Sequence, residues 1–148
     1  MNAPVSVRRA TTAWTIAVAC GVAESALAVL RAASENALGS DVASQLAIRL
    51  PVFAIAGVLI FHFARGRRWA RTSLTVMLSV LGLASMVVPA ALEIAGGSTL
   101  IGALGGDGPF AWPFLLVRMI HIVGVVAATW LMFQPTANRH FTPEPTRV

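Results

Sequence analysis

Residues 65–95 read RGRRWARTSLTVMLSVLGLASMVVPAALEIA. Four arginines within seven residues are followed by a run that carries no charge before Glu93. About 20 mostly apolar residues suffice to cross a bilayer as a helix. Residues 72–95 meet that length, and three further runs do the same, at 13–33, 42–64 and 111–133. None alternates with period two as a barrel strand would. Backbone groups in lipid must be satisfied within the segment, so the runs are predicted to be helices.

Composition agrees with this reading. The chain has 148 residues, 57% hydrophobic and 11% charged, with a mean hydropathy of +0.77. A soluble domain of this size needs more charge to cover its surface. The expected fold class is all-α, a single membrane-embedded, up-down four-helix bundle over residues 1–148. Residues 1–9 and 135–148 are expected to be flexible ends. Ala17-Val18-Ala19-Cys20 loosely resembles a lipoprotein cleavage box, but Glu24 interrupts the apolar stretch after it, and the segment reads as a first span.

The arginines set the direction. Residues 8, 9, 65, 67, 68, 71, 139 and 147 fall on one side of the four runs, with one acid, Glu144. The remainder of the chain holds Arg31, Arg49 and Arg118 and five acids. By the positive-inside rule the first side is cytoplasmic. The expectation is a multi-pass protein of the bacterial plasma membrane with both termini inside. Trp14, Trp69, Trp112 and Trp130 lie near run ends, as interfacial aromatics do. The short connections predict antiparallel neighbours. The connection 96–109 holds six glycines and reads as a mobile external loop.

Ionisable groups inside spans are costly, usually face the bundle interior, and pair. By helix rise, Glu93 and Arg31 sit about 3–5 Å inside the outer face, Arg49 and Arg118 roughly 10 Å, and Glu24 and His121 roughly 15 Å. Pro51 and Pro89 fall in the same half and each removes a backbone hydrogen bond. Glu24, Arg49, Arg118 and His121 are therefore the candidate ligand-binding set. The arginines would hold a carboxylate or lipid phosphate, and Glu24 would titrate against His121. The alternative is an ion-pair network that fixes helix register. The 65–71 stretch offers a second, weaker candidate, headgroup binding by Arg65, Arg67, Arg68 and Arg71. Its plainer role is topology and a Trp anchor.

Other chemistries find no support. One cysteine, Cys20, excludes a disulfide or dithiol site. His62 and His121 are offset by roughly 15 Å along the helix axes and cannot clamp one haem. No His, Cys or acid spacing fits zinc, and no Gly-rich phosphate loop occurs. Ser25, Ser79 and Ser85 lack a base. No cofactor and no metal are expected. The arginines flank spans rather than forming a patch with stacking aromatics, so nucleic acid is not an expected partner. The expected partners are the lipid bilayer and a membrane protein or a second copy of the chain. Small residues in the first run (Ala17, Gly21, Ser25, Ala28) permit close helix packing.

Gly66-Arg67-Arg68-Trp69-Ala70-Arg71, with Trp130 and the ending Pro135-x-x-Asn138-x-x-Phe141, resembles small four-helix membrane proteins of actinobacteria. The resemblance implies the hydropathy layout and carries no activity. Glu24 in its Ala-Glu-Ser setting is faintly similar to the first-helix glutamate of small multidrug exporters, which are shorter. The chain is thus expected to be a non-enzymatic accessory or scaffold subunit. The alternative is a small proton-coupled transporter or a lipid-binding protein.

Overall fold

The computed structural model describes residues 4–141. The chain is all-α, and no strand occurs among the described residues. The helices are α1 (Val5–Ser34), α2 (Ser40–Ala64), α3 (Arg68–Ala95), α4 (Leu100–Gly105), α5 (Ala111–Met132) and α6 (Pro135–His140). Four of them, α1, α2, α3 and α5, are long and apolar enough to cross a membrane. These match the four runs of the sequence, and the arrangement fits a helical bundle.

Cross-helix pairs give the register. Ala17 meets His121 and Glu24 meets Arg118, so α1 and α5 run antiparallel. Arg49 reaches Ser25, and α2 therefore returns along α1. Ser79 and Thr129 share a hydrogen bond of 2.7 Å between α3 and α5. Small residues let α1 approach its neighbours, as helices in lipid require. A Cβ on Gly124 would touch Ala17 at 3.4 Å, and one on Gly21 would press into the Phe53 ring at 2.8 Å. The small residues of α1 thus serve packing within the chain.

The main core lies in the half next to the arginine-rich connection. Val7, Trp14, Phe63, Leu74, Val125 and Met132 are among its fully enclosed side chains. The opposite, distal half has only a small apolar cluster of Ala90, Ala103 and Leu104. Within α3, residues Thr75–Gly82 form π-helical turns, a geometry that widens the helix locally.

Three expectations are corrected. First, α1 begins at Val5, well before residue 13, and residues 5–9 are not flexible. Val7, Ala10 and Trp14 recur at helical spacing and are wholly buried, while Arg8 and Arg9 face out. That extension moves Trp14 into the third turn of α1. It is therefore core, unlike the exposed Trp69, Trp112 and Trp130. Second, residues 135–141 are docked rather than disordered. Pro135 opens α6 at a position that needs no N–H donor. Ala137 and Phe141 are buried, and Phe141 stacks on Phe63 with centroids 5.3 Å apart. Thr136 donates to the Ser6 hydroxyl at 3.0 Å, so α6 and the start of α1 hold each other. Residues 1–3 and 142–148 lie outside the described residues.

Third, the glycine-rich connection is not slack. The Thr99 hydroxyl caps α4 by accepting from the Gly102 N–H at 3.1 Å. Ala103, Leu104 and Gly105 are buried. Gly105 lies against the Ala111 backbone so closely that a Cβ would collide with its carbonyl. Gly106 then turns the chain at φ +71°. Glycine here permits close approach rather than looseness. Apart from these, α2 and α3 continue as helix through Pro51 and Pro89. In the distal half α4 lies beside α5, and its Ala103 and Leu104 pack with Ala90 of α3 and Leu115 of α5.

Candidate functional site

The distal half gathers charge around one carboxylate. Glu24 projects from α1 and is only 5% exposed. Its Oε1 accepts from Arg118 of α5 through Nε at 3.1 Å and Nη2 at 3.0 Å. Arg49 of α2 places Nη2 3.6 Å from the same oxygen. A buried carboxylate is costly unless paired and hydrogen-bonded, and here two guanidinium groups do the pairing. The side chains of Arg118 and Arg49 remain 28% and 35% exposed. Their charges therefore keep partial contact with the surroundings while the carboxylate does not.

Each arginine has a second anchor. Arg118 Nη1 donates to the Leu104 carbonyl of α4 at 2.5 Å. That carbonyl belongs to the last turn of α4, where backbone acceptors lack helical partners. Arg49 Nη1 donates to the Ser25 hydroxyl at 3.3 Å, and Ser25 in turn donates to the Gly21 carbonyl at 3.0 Å. One carboxylate thus links α1, α2, α4 and α5.

A cavity of about 300 Å3 lies above the triad, lined in part by Glu24, Arg31, Glu35, Arg49, Phe114 and Arg118. Arg31 pairs with Glu35 at 3.0 Å, one turn apart on α1. Three arginines face two carboxylates there, a surplus of one positive charge.

Of the four expected ligand-binding residues, Glu24, Arg49 and Arg118 come together. His121 does not join them. Its Nδ1 is 2.8 Å from the Ala17 carbonyl. A carbonyl only accepts, so Nδ1 carries the proton, and His121 fastens α5 to α1 at a point two turns along α1 from Glu24. The expected proton exchange between the two finds no contact in the structure. Glu93 is exposed on α3, away from the triad. The residues missed by sequence reasoning are Ser25 and Leu104. Ser25 adjoins Glu24 in the small-residue stripe, whereas a backbone acceptor such as Leu104 leaves no mark in side-chain patterns.

The second candidate set divides. Arg65 lies over the Phe61 ring at 4.0 Å, and Arg67 is exposed. Arg68 and Arg71 instead turn toward the α5–α6 junction. Arg68 Nε donates to the Phe141 carbonyl, and Arg71 Nη2 donates to Asn138 Oδ1 at 2.6 Å. Asn138 and Phe141 stand three apart in the Pro135-x-x-Asn138-x-x-Phe141 motif, so that motif is the docking face of the tail.

Comparison with protein-family models, with curated proteins and with solved structures gave no match of any kind, so functional inference rests on the geometry of the charged sites.

Proposed function

We propose that this chain is a non-enzymatic integral membrane protein of the plasma membrane, with both termini cytoplasmic, acting as an accessory or scaffold subunit. In this reading the Arg49–Glu24–Arg118 triad pins the distal half into a fixed surface that a membrane partner recognises. The observation that carries it is the use of Arg118. Its guanidinium is spent on the α1 carboxylate and the α4 carbonyl, which leaves it a fastener rather than a receptor. Buried charges that satisfy one another can fix helix register.

One observation favours the alternative, a small proton-coupled transporter or lipid-binding protein. The cavity above the triad keeps a positive surplus and contacts Arg49, which is the less fully bonded of the two arginines. Purification of the full chain from its native membrane in mild detergent, with mass spectrometry of bound proteins and lipids, separates the two. A stoichiometric membrane-protein partner supports the scaffold. A chain that purifies alone, and drives proton-dependent uptake in proteoliposomes that Glu24→Gln abolishes, sinks it.

A further inference from the structure

At the arginine-rich end a cavity of about 600 Å3 opens between the start of α3 and the α5–α6 junction. Its polar lining comprises Arg68, Arg71, Thr72, Thr75 and Asn138. The four α3 residues fall at spacings of three, four and seven, so they share one helix face. No carboxylate is among the described lining residues, and the site carries two full positive charges.

Both guanidinium groups are held in place yet under-used. Arg71 lies over Phe133 at 4.3 Å and Phe141 at 5.3 Å, which orients its plane. Its Nη2 reaches Asn138, but its Nε is buried and has no hydrogen-bond acceptor among the described residues. A buried donor left unmade is costly, and such an atom calls for an explanation. Among the described residues Arg68 makes one hydrogen bond, to the Phe141 carbonyl. Guanidinium groups with donors to spare, beside the Thr72 hydroxyl, suit the oxygens of a phosphate. The wall then changes character. Val76 and Phe133 are apolar and about half exposed, a surface suited to an acyl chain.

The geometry points to a binding site for the phosphodiester headgroup of an anionic glycerophospholipid, held by Arg68 and Arg71, with an acyl chain along Val76 and Phe133. The proposal rests on the membrane-spanning reading above. It also assigns different work to the four arginines of the 65–71 stretch. Arg65 and Arg67, outside the cavity, serve topology alone.

The test uses the full chain in phosphatidylcholine nanodiscs doped with phosphatidylglycerol, with native mass spectrometry of retained lipid. One phosphatidylglycerol should stay with each chain. Each arginine near an anionic surface contributes about fivefold to affinity, so Arg68→Gln with Arg71→Gln should weaken retention about 25-fold. Arg65→Gln with Arg67→Gln removes the same charge but no cavity-lining group, and should weaken retention clearly less. Arg71→Lys, which keeps the charge but loses the planar fork, should fall between. Equal losses in the two double variants, or no loss in Arg71→Lys together with the Arg68 and Arg71 double variant, overturn the site. So does equal retention of phosphatidylcholine. Full competition by soluble glycerol phosphate assigns the site to a free anion and overturns the lipid. Failure of the wild-type chain to insert into discs at all defeats the membrane-spanning reading itself.

Discussion

Arg118→Met tests whether the triad is a fastener. Methionine keeps much of the length and apolar stem of arginine while removing every donor. Removing one partner of a buried ion pair costs about 3–5 kcal/mol when the remaining charge is stranded. Glu24 is not wholly stranded, because Arg49 stands 3.6 Å away. Arg118 is also 28% exposed, which dilutes the attraction. Half of the range, about 2 kcal/mol, is the expected loss from the ion pair. The Leu104 carbonyl loses its donor as well, for roughly 1 kcal/mol more. The total is about 3 kcal/mol, a large share of a marginal stability. Arg49→Met removes a longer contact from a more exposed side chain and should cost only about 0.5–1 kcal/mol. The double variant leaves Glu24 with no cation and should cost more than the sum, since coupled neighbours are not additive. Reversible unfolding in bicelles, read by steric trapping, measures all three. Equal costs for the two single variants, or a cost below about 1 kcal/mol for Arg118→Met, would refute the reasoning.

Three further outcomes are expected from the same assay. Gly105→Ala forces a Cβ into the Ala111 carbonyl and should cost about 1–3 kcal/mol by overpacking; a neutral result means that α4 is not seated as described. Phe141→Ala empties the contact with Phe63 and should cost about 3 kcal/mol, whereas a flexible tail predicts no change. Ser79→Ala should cost only about 0.6 kcal/mol, typical of interhelical hydrogen bonds in lipid, because the Thr129 hydroxyl already donates to the Val125 carbonyl at 2.7 Å. A loss several times larger would show that the α3–α5 bond carries more of the bundle than its geometry suggests.

The four long helices were legible because lipid reduces the problem to length and polarity along the chain. Glu24, Arg49 and Arg118 were legible for the same reason: charges within apolar runs must find one another. His121 stands apart from them in the structure because its partner, the Ala17 carbonyl, is backbone and invisible to residue type. The glycines of 96–109 read as slack because local freedom is all that residue type shows, and the tight approach of Gly105 to Ala111 is tertiary. The ends of the described chain read as loose because polar Arg8 and Arg9 and the break at Pro135 hid two short apolar faces. Val7 with Ala10, and Ala137 with Phe141, are too brief to announce a core but meet in three dimensions.

The pairing of α1 with α5 also has a consequence in time. The chain emerges from the ribosome at about 5–20 residues per second. Arg118 follows Glu24 by 94 residues, so their pairing must wait about 5–20 s. Arg49 follows Glu24 by only 25 residues and arrives within about 1–5 s. The weaker of the two cations is therefore the earlier one. Until α5 is made, Arg49 is the one cation of the triad on hand for Glu24.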